Sequence, residues 1–265
     1  MNKLFQIACA SIFLFVSNAV FAGTVIQIQN KSDLATISTD GKLARMSMSG
    51  DEYVIVDYKK HTVKMVNPQK KQVVLLKADK APAGKSPGVQ TSLKNLGAGI
   101  TVAGYPTQKY AYSANGKSCG TIYGSKDAYQ KQGIKELLEA MKTMMERQRA
   151  VLGGLTGMVD DCTLADMNVS EHVSTIGVPM RTEKNGRIDS EVKSIRLDVE
   201  LPADTFVIPA SYQTISMEQQ IQNMKQSMKQ HQPQIQQMMQ QMQQSGRMSP
   251  EMMDQMRRMK EMMQQ

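Results

Sequence analysis

The sequence predicts an α+β domain, an antiparallel sheet carrying an amphipathic helix, followed by a separate helical tail. Three observations predict it. Short runs that alternate apolar and polar residues fill positions 23 to about 78. Beyond Ser125 the apolar period lengthens from that of a strand to that of a helix. At residue 214 the composition turns abruptly to methionine and glutamine.

The first 22 residues read as a secretory signal peptide. Lys3 gives the positive start, Ile12 to Val16 centre a short apolar run, and Val20-Phe21-Ala22 before Gly23 offers the small side chains a signal peptidase needs. Cys9 precedes most of the apolar run, so it is a signal-peptide residue and not a lipidation site. No later run approaches the roughly 20 apolar residues of a membrane helix. The expectation is a soluble chain in the periplasm or secreted, with membrane contact at most peripheral. Cleavage removes Lys3 and no acid, lowering the formal net charge of +8 by one. The lysines are spread along the chain without an Arg-rich run or interleaved aromatics, which argues against nucleic acid as a partner. Phe206 is the only phenylalanine after residue 22 and tryptophan is absent, so Val, Ile, Leu, Met and Tyr must build the core.

From Gly23 onward the alternating runs are Val25 to Ile28, Ala44 to Met48, Tyr53 to Val56, Thr62 to Val66 and Val73 to Leu76. Asp40-Gly41, Gly50-Asp51 and Asn67-Pro68 stand between them, the turn chemistry of an antiparallel meander with one face to bury. Residues 79 to 99, rich in Ala, Pro, Gly, Lys and Ser, read as a mobile loop. Strands resume over Lys109 to Ser113 and Lys117 to Tyr123. Ile134, Leu137, Leu138, Met141, Met144, Met145, Val151 and Leu152 then share one helix face, and Gly153-Gly154 ends that helix. After an irregular stretch, Val178 to Glu183 and Arg187 to Leu201 form a last hairpin turned at Asn185-Gly186.

Cys119 and Cys162 are the only cysteines beyond the signal. In an oxidising compartment such a pair defaults to one disulfide, which would pin the base of the long helix to the sheet. The alternative, two thiols joining methionines around a soft metal, lacks the close spacing of metal sites.

Four motifs then carry a resemblance. They are Val102 to Tyr110, Gly120-Thr121-Ile122-Tyr123, Gly177-Val178-Pro179-Met180-Arg181, and Leu201 to Tyr212. In that order they resemble an uncharacterised family of exported bacterial domains that look like the lipoprotein carriers LolA and LolB. The resemblance covers residues 23 to 213 and implies a strongly curved, unclosed antiparallel sheet, a half-barrel, with helices on its concave face. It implies no established activity.

Residues 214 to 265 hold 13 methionines and 16 glutamines. Met217, Ile221, Met224, Met228, His231, Ile235, Met238 and Met242 follow steps of four and three, and the same count reaches Met252, Met256, Met259 and Met263. Three readings stand. The tail is a weak coiled coil or amphipathic helix that self-associates over residues 217 to 263. It captures Cu(I) through thioether pairs such as Met224 with Met228 and Met252 with Met256. Or it binds apolar clients adaptably.

No nucleophile elbow, zinc-protease helix, phosphate loop or paired-cysteine redox motif is present in the sequence. His61, His172 and His231 lie in separate segments, and Asp160, Asp161 and Asp166 near Cys162 read as helix caps. The expectation is a non-enzymatic binding protein without a resident cofactor. Inward strand residues and Ile134, Leu138, Met141 and Met145 would enclose an apolar small molecule, a lipid or acyl chain, or the chain of a lipidated protein. The alternative is an assembly module that uses the tail.

Overall fold

The structure, a computed structural model, describes residues 21–31, 33–47, 50–77, 89–142, 160–220, 222–223, 226–227 and 230. Six strands follow one another as antiparallel neighbours: β1 (Phe21–Asn30), β2 (Asp33–Thr39), β3 (Leu43–Ser47), β4 (Tyr53–Asp57), β5 (Thr62–Asn67) and β6 (Gln72–Lys77). A second meander comprises β7 (Thr91–Ala98), β8 (Gln108–Ala114), β9 (Lys117–Ser125), β10 (Val178–Lys184) and β11 (Arg187–Leu201). The long β11 lies against β1 and fuses the two. β12 (Gln213–Ser216) adds in parallel to the free side of β6. Strand order runs β12-β6-β5-β4-β3-β2-β1-β11-β10-β9-β8-β7, so the sheet is unclosed and mostly antiparallel. Two hairpins turn on Asn-Gly pairs, Asn115-Gly116 and Asn185-Gly186, whose four residues all have positive φ as a two-residue turn requires.

Among the described residues, four helices interrupt the second meander. α1 (Lys126–Tyr129) begins at Ser125, whose hydroxyl accepts from the Ala128 amide at 3.3 Å. α2 covers residues 134–142 as far as described. α3 (Asp161–Val169) continues through a 3-10 turn (Ser170–His172) into α4 (Val173–Ile176). Gly177 then leads into β10 with φ of 79°. A Cβ there would sit 2.2 Å from the Ser125 carbonyl oxygen, so only glycine lets the chain enter the sheet beside β9.

The core explains the shape. Ile26, Ile37, Ala44 and Val56 from β1 to β4 join Val178, Met180 and Val192 from β10 and β11 around Ile134, Leu137 and Ala140 of α2. Six adjacent strands contribute, a width of roughly 24 Å at the usual strand spacing, while a helix is only about 10 Å across. A flat sheet could not bring both ends of that span to one helix, so the sheet curls and holds the helices on its concave side. Register shifts occur in the β1/β11, β10/β11, β9/β10, β8/β9 and β7/β8 pairings, and such bulges bend strands. A second cluster packs Ala165, Val169 and Ile176 from α3 and α4 on Tyr110, Tyr112 and Ile122. On the convex side, Ile208 and Tyr212 cover Tyr53, Ile55, Val66 and Val73.

Several expectations need correction. Residues 91–98 are a strand, not loop; β7 is an edge with a mostly exposed surface, so it lacks the alternation that marks a half-buried strand. The stretch before β10 is helical. Its inward face, Leu164, Ala165, Asn168 and Val169, is short and includes a polar residue, which hides it from periodicity. The Cys119–Cys162 disulfide is present, with Cα atoms 5.3 Å apart. It ties β9 to α3, so the element pinned to the sheet is α3 and not α2.

Asp160 does cap α3. Its Oδ1 accepts from the amides of Cys162 at 3.0 Å and Thr163 at 3.2 Å, and its Oδ2 accepts from the Thr163 hydroxyl. The Thr163 hydroxyl bond, aided by these amides, outweighs slight desolvation and holds the carboxyl below its usual range. Asp160→Ala is expected to cost about 1 kcal/mol. Because the folded-state pKa is depressed, that contribution is present above the ordinary Asp value and lost as pH falls through the lowered one. Denaturant unfolding of both proteins near neutral pH and at about pH 3 checks this: the gap should narrow in acid, and a gap of constant size would contradict it.

A cleft between sheet and helices as candidate functional site

α2 presents two adjoining faces. Ile134, Leu137 and Ala140 point into the core and are at most 8% exposed. Leu138 and Met141, on the neighbouring face, line a cleft of about 300 Å³. Tyr129 steadies this arrangement from α1: its hydroxyl donates to Glu139 Oε1 on α2 at 2.6 Å. Burial first, then that bond and the charge of Glu139, push the Tyr129 pKa up to about 12, so it remains a donor.

The rest of the wall comes from six other elements. Ile122 of β9, Val169 of α3, Val173 of α4 and Pro179 of β10 make it largely apolar. Tyr112, Thr182, Lys184, Asp166 and Asp189 form one polar side. There Lys184 Nζ bridges Asp166 Oδ2 at 2.5 Å and Asp189 Oδ2 at 3.4 Å. Asp166 is therefore not a helix cap; it sits inside α3 and faces β10, where it serves the ion pair. The strand register explains Asp189. Ser190 opposes Thr182 while Ile188 opposes Glu183, leaving Asp189 as the extra residue of a bulge, and its carboxylate reaches Lys184 on the cleft side.

The electrostatics follow from this geometry. Burial disfavours the Lys184 charge, but the bond to Asp166 and the charges of Asp166 and Asp189 outweigh it and hold the ammonium above the usual lysine range. Burial, then bonding to Asp166 and the charges of Asp166, Asp189 and Asp160, raises Tyr112 well above the ordinary phenol range. Both groups are therefore protonated donors across ordinary pH. Among the described residues, no group of three or more His, Cys, Asp or Glu is placed to hold a metal ion.

Of the side chains expected to enclose a ligand, Ile134 is core, 1% exposed, whereas Leu138 and Met141 face the cleft. Met145, like Met224, Met228, Met252 and Met256, lies outside the described residues. Sequence reasoning missed the polar side. The signal available was weak: an aspartate in a helix and a lysine and aspartate flanking an Asn-Gly turn, separated by about one helix and one strand of chain.

No family model matches this chain, and no curated protein does. Similar solved structures are remote. An uncharacterized conserved protein from Thermus thermophilus gives a TM-score of 0.39 at 11% identity, covering 74% of this chain and 91% of that one. PNGF-II gives 0.38 at 12%, covering 74% of this chain and 31% of that one. MucB gives 0.28 at 11%, covering 74% of this chain and 59% of that one. These likenesses are too distant to transfer an activity, and the architecture rests on the strand order described above.

Proposed function

We propose that this is an exported, non-enzymatic binding protein that holds the apolar part of a lipid-like ligand in the cleft between α2, α3, α4 and the concave sheet. The cleft itself carries the reading. It is an open space of about 300 Å³ whose wall is largely apolar, so a hydrocarbon chain seated there would remove that wall from water. That volume is at the lower end of small-molecule sites, room for a single chain. The resemblance of the four motifs to exported domains that look like the lipoprotein carriers points the same way. The Cys119–Cys162 bridge supports export, since such bonds persist in oxidising compartments.

Leu138→Gln and Met141→Gln place an unpartnered amide in the apolar wall, at a cost of about 1–3 kcal/mol to any chain bound there. Titration of decanol into the chain starting at Gly23, read by native mass spectrometry and calorimetry, should show wild-type occupancy and affinity about tenfold weaker in each variant. Equal binding by variants that melt as wild type would move the ligand elsewhere.

A second reading is self-association through the tail, for which a helix beginning at residue 217 supplies the element. Ser216 Oγ accepts from the Gln219 amide at 3.2 Å while Gln219 Oε1 accepts from the Ser216 amide at 2.9 Å. This reciprocal cap starts a helix directly at the end of β12. A chain ending at Ser216 keeps β12 on the sheet. Sedimentation should show it monomeric beside a larger full-length species; equal masses would end this reading.

A further inference from the structure

We propose that the ligand's polar end is a hydrogen-bond-donating cation, an alkylammonium-type head, seated against Asp166 and Asp189 on the polar side of the cleft. This rests on the binding reading above and adds the chemical class of the ligand to it. The case is an inventory of donors and acceptors.

Two carboxylates face the cleft, each with about four acceptor sites. Among the described residues, the donors lining that side are fewer than the acceptor sites of the two carboxylates. Lys184 Nζ gives two of its three donors to Asp166 and Asp189. Tyr112 lines the same side, and its hydroxyl is held protonated by burial and by the neighbouring Asp166. The Thr182 hydroxyl is paired with Ser190 at 2.8 Å. Lys31 approaches the other oxygen of Asp189 at 3.7 Å, but its side chain is 79% exposed and its charge is screened by solvent. Acceptors are therefore in excess, and the cleft side carries two negative charges to the one positive charge of Lys184.

A carboxylate or phosphate head would have to lie against both aspartates and draw Lys184 away from them. An ammonium head does the reverse: it brings new N–H donors to oxygens with spare capacity, beside an apolar wall that takes the chain. The preference opposes the charge of the whole protein, which is +8 and attracts anions over its surface. Selectivity for a cation thus cannot be a by-product of net charge.

The test uses the full chain from Gly23 and three probes of equal length: decylammonium, decanol and decanoate. Decanol needs only the apolar wall and reports the cleft reading by itself. The expected order is decylammonium tightest, decanol between, decanoate weakest, with about tenfold between the extremes. Asp166→Asn and Asp189→Asn should each compress that range to about threefold. Asp189 stands in a hairpin bulge, so its variant remains informative if the α3 variant fails to fold. Binding of decanol together with equal or tighter binding of decanoate would overturn the head-group assignment and leave the cleft reading intact. Failure of decanol to bind would overturn both. An ammonium preference that persists in both folded variants would also overturn the assignment to these two aspartates.

Discussion

Loss of the Cys119–Cys162 bridge is expected to lower the unfolding free energy by about 4 kcal/mol on the chain-entropy estimate. The bridge closes a loop with a sequence separation of 43, and that loop contains α1, α2 and the whole connection to α3. Without it the unfolded chain regains the entropy of that loop. The folded protein keeps only modest packing to hold α3, chiefly Ala165 and Val169 against Tyr112 and Ile122. Cys119→Ala/Cys162→Ala, or wild type under reductant, should unfold at markedly lower denaturant. Under the proposed function, affinity for decanol should fall as well, because α3 supplies part of the cleft wall. A loss of about 1 kcal/mol or less would mean that packing alone fixes α3 and that the bridge constrains little. Cys162 neighbours the Asp160 cap, so the double variant should be combined with Asp160→Ala before the two effects are treated as additive.

Ile134→Ala is expected to cost about 2–5 kcal/mol, the range for large-to-small changes in a closed core. Ile134 is 1% exposed and belongs to the cluster shared by the six strands from β4 to β10 in sheet order. One turn further along the same helix, Leu138 is only half-buried and borders open space. Leu138→Ala should therefore cost far less, because no sealed void is created. The contrast separates a packing face from a cleft-lining face on a single helix. Equal losses at the two positions, measured by denaturant unfolding, would show that the cleft closes in solution and that Leu138 is core.

Strands are legible in the sequence where one face is apolar and the other wet. In β4, Val54 and Val56 turn inward while Tyr53 and Ile55 turn to the convex cover, and the whole run still reads as a strand. β2 is less visible because its inward positions, Ala35, Ile37 and Thr39, include a small and a polar residue. Thr39 is buried only because its hydroxyl finds partners, the Leu43 carbonyl at 2.8 Å and the Tyr58 hydroxyl at 2.8 Å. β7 and β12 cannot be read at all, since edge strands owe their place to a neighbour's backbone and not to a buried face of their own. In the candidate site, the helical face containing Leu138 and Met141 is visible in the periodicity, but its division into core and cleft is not.

Local features follow from the order of residues alone: the strand and helix periods, the Asn185-Gly186 turn and the pairing of the two cysteines. Each depends on interactions within one or two turns of chain, or on there being a single possible partner, so composition and spacing suffice. Folding in three dimensions was needed to set β11 beside β1, to curl six strands around one helix, and to bring Asp166, Lys184 and Asp189 together across a cleft. Those outcomes depend on curvature and on a one-residue bulge, which place side chains from distant segments together and leave no periodic mark in the chain.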